Sequence, residues 1–305
     1  VPDPFVSPAR APLAGTVCVL VAAACFSAKA VIIKLAYAAH PVDAATLLTL
    51  RMLFSAPFFV LMALWSTRKS EVRPLDRKQW ASVLVLGFTG YYLASYLDFL
   101  GLQYITAGLE RLILFLYPTI VVLLSAWWLK VPIRRHHVFA LLLSYGGIAL
   151  VFTENLRFGG QAHEVALGGA LVFASGAVYS VYLIGAGETV GRIGAMRFTA
   201  YAMLVACAAS LAQFFLTHGP ADLQLPGTVY GLALTMAILS TVIPAWLMSE
   251  GIRLTGANHA AMVGSVGPVA TIFLGFWFLG EPVTPVQFAG VALVLFGVAL
   301  VSARR

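Results

Sequence analysis

PTIVVLLSAWWLKVPIRRHHVFALLLSYGGIALV, residues 118–151, and PVATIFLGFWFLGEPVTPVQFAGVALVLFGVALV, residues 268–301, read as two copies of one segment. Aligned without a gap, Pro118 meets Pro268, Trp127 meets Trp277, Pro132 meets Pro282 and Gly147 meets Gly297. Leu124/Leu274, Leu129/Leu279, Leu143/Leu293 and the closing Ala149-Leu150-Val151/Ala299-Leu300-Val301 also coincide. Leucine and alanine matches carry little weight in a chain rich in both. The paired proline, tryptophan and glycine positions carry more, because each has a backbone or packing consequence of its own.

The background to this repeat is a chain that is 61% hydrophobic and only 10% charged. A soluble domain carries about 25% charged residues. This much apolar surface needs the bilayer as its solvent, and a helix crosses the bilayer with about 20 apolar residues. Such runs fall at 13–36, 43–66, 79–99, 105–129, 136–153, 165–187, 195–217, 227–249, 256–279 and 285–303. They are too long and too little alternating for barrel strands. The sequence therefore predicts an all-α membrane protein of ten transmembrane helices.

The net charge of +7 is explained by where the basic residues lie. With the N-terminus inside, the inner segments hold Arg10, Arg68, Lys69, Arg73, Arg77, Lys78, Lys130, Arg134, Arg135, Arg192, Arg197, Arg253, Arg304 and Arg305. The outer loops hold Arg157, and Lys29, Lys34, Arg51 and Arg111 fall within spans. This asymmetry orients a protein in the inner membrane with both termini cytoplasmic. It asks for no nucleic acid. Cys18, Cys25 and Cys207 lie inside spans without metal-ligand spacing and read as small buried apolar residues.

The halves are 1–153 and 165–305, joined by a polar linker at 154–164. Five spans in each half force the second copy to insert opposite to the first, giving an inverted repeat. The charges agree. Lys130-Val131-Pro132-Ile133-Arg134-Arg135 follows Trp127, whereas Gly280-Glu281-Pro282-Val283-Thr284-Pro285 follows Trp277 and carries no basic residue. The first span resembles a signal peptide. We read it as retained, because Gly15…Ala24-Cys25-Phe26-Ser27 has a counterpart in Gly168…Ala177-Val178-Tyr179-Ser180.

These features together resemble the drug/metabolite transporter superfamily. Each half ends in a proline-bearing helix, a tryptophan, a tight proline turn and a glycine-containing last helix. Gly280-Glu281-Pro282 is similar to the superfamily's Gly-Glu turn, and Arg51 in Thr-Leu-Leu-Thr-Leu-Arg-Met fits its second span. Lys130-Val131 departs from that turn in the first half. The aromatic-rich third and sixth spans look most like the aromatic amino-acid exporter branch. The resemblance implies a central cavity surrounded by spans 1, 3, 4, 6, 8 and 9.

Charged side chains inside spans are functional candidates, because the bilayer makes them costly. Lys29 is a candidate partner for a carboxylate, against the alternative that it snorkels outward. Glu110 opens the fourth span beside Arg111, as a helix start or as a holder of an amino group. Arg51 reads as one half of a fixed ion pair, Lys34 as a snorkelling residue, and Glu250 with Arg253 as a local pair at i, i+3. Tyr92, Tyr96 and Phe99 recur on the third span, Tyr179 and Tyr182 on the sixth, and Trp246 stands on the eighth. Tyrosine offers an apolar ring with one hydrogen bond, which suits amphipathic solutes. We expect Tyr92, Tyr96, Tyr179, Tyr182, Trp246, Lys29, Glu110 and Ser27 to line the solute cavity. Ser27 also reads as a small packing residue with Ala23. Pro118, Pro268 and Pro244 are expected bending points, each freeing a carbonyl one turn earlier.

The expected function is export of amino acids, aromatic ones included, by alternating access between the halves. The expected partners are a small-molecule substrate and the lipid bilayer, with the protein a monomer or homodimer. No cofactor or metal is expected, and no G-x-x-x-x-G-K-[ST] loop for ATP occurs. Export of other metabolites or drugs is the alternative within transport. A passive channel or an intramembrane enzyme are the alternatives outside it. The chain lacks H-E-x-x-H and any evident ring-forming acid.

Overall fold

In lipid a spanning segment must satisfy its own backbone, which leaves helices or closed barrels. A computed structural model describes residues 11–68, 74–128, 130, 133, 135–157 and 161–302. Among the described residues every regular element is helical. In the first half these are α1 (Ala11–Ala39), α2 (Ala44–Thr67), α3 (Arg77–Gly87), α4 (Ala94–Gly101), α5 (Ala107–Leu114), α6 (Tyr117–Trp128) and α7 (Arg135–Arg157). In the second half they are α8 (Ala162–Ile193), α9 (Ala195–Thr217), α10 (Gly227–Ala237), α11 (Ile243–Thr255), α12 (Ala257–Gly264), α13 (Gly267–Leu279) and α14 (Pro285–Ser302).

Among the described residues eight helical stretches are long and apolar enough to cross a membrane, and Gly267–Leu279 and Pro285–Leu300 are shorter apolar helices. The expected ninth run, 256–279, is divided between α12 and α13. Local chemistry starts several helices. The Asp43 carboxylate accepts from the Ala45 and Thr46 N–H groups, and Asp76 with Gln79 forms a capping box. Thr106 Oγ1 accepts from the Leu109 N–H.

The interruptions repeat between the halves. The α5–α6 stretch breaks at Phe115–Leu116 and the α12–α13 stretch at Ser265–Val266, just ahead of Pro118 and Pro268. Proline lacks the N–H and crowds the carbonyl four residues back. Those carbonyls belong to Leu114 and Gly264, the last residues of α5 and α12. A second repeated feature is π-helical: Phe88–Leu93 joins α3 to α4, and Ile238–Val242 joins α10 to α11. Pro244 stands just after the second of these segments. The first has Ala94 at that place, so proline does not account for the repeated π geometry.

The halves pack through each other rather than side by side. The main pairings are α1 with α11, α8 with α4, α2 with α9, and α7 with α14. Exchanging the two halves leaves this set unchanged. Close helix crossings follow the same rule. Gly15 meets Gly251, and its counterpart Gly168 meets Gly101. Gly147 meets Gly290, and its counterpart Gly297 meets Ala140 and Ser144. Ser27 Oγ donates to Gly267 O at 2.9 Å, and Ser180 Oγ donates to Tyr117 O at 3.2 Å. Small residues at crossings let backbones approach where lipid provides no hydrophobic drive between helices.

Candidate functional site

Three charged side chains from three helices meet inside the spanning segments. Lys29 Nζ on α1 lies 2.6 Å from Asp98 Oδ2 on α4 and 3.5 Å from Glu110 Oε1 on α5. The Asp98 side chain is 2% exposed, Glu110 0% and Lys29 17%. Among the described residues neither Glu110 oxygen nor Asp98 Oδ1 has a hydrogen-bond partner. Two carboxyl groups therefore share one ammonium. Such a cluster costs several kcal/mol of desolvation per ion unless compensated.

The next residue on α5 faces a different environment. Arg111 lies against Gly267 at the α12–α13 break: a methyl on Gly267 would stand 3.1 Å from Arg111 Nη2 and 3.6 Å from Ser27 Oγ. Among the described residues Arg111 Nε is buried without a hydrogen-bond partner.

The structure sorts the expected tyrosines into two groups. Tyr179 stacks with Tyr182 at 5.4 Å between centroids and meets Tyr117 edge-on at 5.8 Å. Tyr182 extends this row to Tyr91, whose hydroxyl it meets at 3.0 Å. Gly90 lies so close to the Tyr182 ring that no side chain fits between them. Tyr92 and Tyr96 instead stack on each other at 6.3 Å, with Phe88 beyond Tyr92. Trp246 is 67% exposed and stands apart from both groups. Pro268 and Pro244 are buried, and Pro118 is partly so.

Two other charged residues take partners that differ from the sequence expectation. Among the described residues Arg51 forms no ion pair. Its Nε donates to Thr241 Oγ1 at 3.0 Å, and its guanidinium stands over the Phe99 ring. Thr241 Oγ1 in turn donates to Met236 O, a carbonyl at the entry to the π segment. Lys34 does not snorkel freely, because Nζ donates to Ile105 O at 2.7 Å. Glu250 and Arg253 do form the local pair. His259 meets Thr16 Oγ1 at 2.9 Å.

Glu281 crosses between the halves to cap α5. Its Oε1 accepts from the Ala107 N–H at 2.8 Å and its Oε2 from the Gly108 N–H at 3.4 Å. Gly280 makes the fold-back possible by adopting φ +64°, the left-handed conformation that ends α13. Burial pushes the Glu281 carboxyl upward from its ordinary range, while the Ala107 N–H, the Lys34 charge and the Gly108 N–H pull it back.

Of the expected cavity residues, Lys29 and Glu110 come together, Ser27 reaches the helix break, and Tyr179 with Tyr182 joins the tyrosine row. Sequence reasoning missed Asp98. The available signal was a lone acid among apolar residues in Tyr96-Leu97-Asp98-Phe99-Leu100. Among the described residues no group of three His, Cys, Asp or Glu side chains could hold a metal.

The chain is 32% identical over 295 residues to the Uncharacterized transporter YcbK of Bacillus subtilis (strain 168), covering 94% of this chain and 92% of that one. It is 28% identical over 265 residues to the Uncharacterized transporter sll1319 of Synechocystis sp., covering 84% and 78%. A protein crystal structure shares the fold with a TM-score of 0.63 at 19% identity, covering 98% of this chain and 100% of that one. The EamA-like transporter family matches twice, at residues 13–153 and 166–303. The chain is a multi-pass membrane transporter rather than an enzyme, and with two repeats of that kind it belongs to the EamA-like transporter family.

Proposed function

We propose that the chain exports amino acids, aromatic ones included, by alternating access through a central cavity between its halves. The observation that supports this reading is the cluster of buried charges of both signs on α1, α4 and α5. A zwitterion needs an anionic partner for its amino group and a cationic one for its carboxylate. Asp98 and Glu110 offer the first. Lys29 and Arg111 offer the second, and Tyr117 and Tyr179 provide an apolar wall for the side chain. Tyr92, Tyr96, Tyr182, Trp246 and Ser27 complete the path.

In this reading the protein has ten spans in two inverted five-helix halves, 1–153 and 165–305, joined at 154–164. It lies in the inner membrane with both termini cytoplasmic and works as a monomer or homodimer. The repeated breaks at Pro118 and Pro268, with the π segment before Pro244, are the places where the halves flex. Broken helices are common where carriers hold their solutes.

The test is uptake of labelled phenylalanine into proteoliposomes of purified protein, with and without unlabelled phenylalanine trapped inside. Saturable uptake stimulated from the opposite side is expected. Its absence in folded protein would move the substrate to another metabolite class. Linear, unstimulated flux would favour a channel.

A further inference from the structure

We propose that Arg111 is the residue that selects solutes bearing a carboxylate, and that it does so because the repeat is broken at one point. The inference deepens the amino-acid reading above and rests on it. The repeat places Tyr117 and Gly267 at corresponding positions, each immediately before its proline. The two serines that bond these carbonyls, Ser180 and Ser27, also correspond. At Tyr117 the first half presents an aromatic ring to this junction. At Gly267 the second half presents none, and the Arg111 guanidinium occupies the space. The counterpart of Arg111 in the second half is Ala261. Two related junctions have thus become unlike poles, one cationic and one aromatic.

The poles are within reach of one small solute. Arg111 lies at the Gly267 junction that Ser27 bonds, Tyr117 forms the junction that Ser180 bonds, and Tyr117 meets Tyr179 edge-on at 5.8 Å. Glu110, the neighbouring acid on α5, is turned toward Lys29 and Asp98. Arg111 Nε is buried and makes no hydrogen bond to a described residue, and a guanidinium binds a carboxylate through paired N–H groups. An aromatic amino acid whose carboxylate meets Arg111 and whose ring meets Tyr117 and Tyr179 fits both poles. Lysine at position 111 would keep the charge without the fork.

The experiment measures inhibition of labelled phenylalanine counterflow in proteoliposomes by phenylalanine, by 3-phenylpropionate and by phenethylamine, which lacks the carboxylate. In the wild-type protein phenethylamine should compete roughly 10- to 100-fold more weakly than phenylalanine, the worth of a charged hydrogen bond. Arg111→Gln should erase that preference, with phenylalanine weakened and phenethylamine little changed. Arg111→Lys should keep part of it. Gly267→Ala, which leaves the arginine in place but crowds Nη2, should weaken phenylalanine selectively. If Arg111→Gln or Gly267→Ala fails to fold, the wild-type and Arg111→Lys comparisons still decide. A preference unchanged in Arg111→Lys and Arg111→Gln would overturn the role of Arg111 while leaving amino-acid transport standing. Absence of saturable phenylalanine counterflow in the wild-type protein would overturn both.

Discussion

At the residue scale the Lys29–Asp98–Glu110 cluster has unequal members. Lys29 is the nearest cation to both carboxyl groups, so removing it strands two acids in a place that excludes water. Breaking a buried ion pair from one side costs about 3–5 kcal/mol, whereas replacing every charged member by a neutral group can be close to neutral. Lys29→Met should therefore lower the thermal unfolding midpoint in detergent far more than the triple change Lys29→Met, Asp98→Asn, Glu110→Gln. Neither protein should transport. A triple variant as unstable as the single one would contradict this account of the cluster. The sequence shows why these positions matter only in part. Lys29 and Glu110 stand out as charges in apolar runs, yet a run does not say which face of the helix meets which neighbour. Asp98 is a lone acid near a span end, and its partner shows only when α4 is seen against α1. Arg51 shows the same limit: its contacts with Thr241 and Phe99 join residues far apart in the chain.

At the scale of elements, prolines are legible and π segments are not. Pro118 and Pro268 place both helix breaks to the residue, because each clash falls on a fixed carbonyl. The π segments occur with and without a nearby proline, so no proline in the sequence marks both. The Glu281 cap is a further feature that only tertiary structure reveals, since the helix it caps begins at Ala107. Its geometry depends on Gly275, where a methyl would stand 2.8 Å from Glu281 Oε2. Glu281→Ala should destabilise the fold by about 1 kcal/mol, the usual cost of losing a helix cap. Gly275→Ala should do damage of similar size by displacing the same carboxylate. Because both act through one contact, the double variant should be little worse than Glu281→Ala alone. Fully additive losses in chemical unfolding would show that Gly275 matters for another reason. The first half has Val131 at the position of Glu281, so this seal on a helix start is not duplicated by its repeat partner.

At the scale of the whole molecule, the pairing of helices is what makes the repeat physical. Gly15 with Gly251 and Gly168 with Gly101 are one crossing built twice, as are Ser27 with Gly267 and Ser180 with Tyr117. A two-fold relation between halves explains why each main contact returns with the halves exchanged. If that axis lies in the membrane plane, corresponding loops must emerge on opposite sides. Lys78, at the start of α3, and Ala221, in the turn before α10, are both exposed and provide a direct check. In the proposed orientation Lys78 is cytoplasmic and Ala221 is outside. Their helices, α3 and α10, correspond in the repeat, so on that proposal their entry points do not share a side. A cysteine at Ala221 should react with a membrane-impermeant maleimide added to intact cells. A cysteine at Lys78 should react only after the membrane is opened. The native Cys18, Cys25 and Cys207 sit within helices and set the background. Labelling of both sites from outside would rule out opposed insertion of the two halves. Labelling of position 78 alone would keep the opposed halves and reverse the orientation of the chain, and with it the direction assigned to transport.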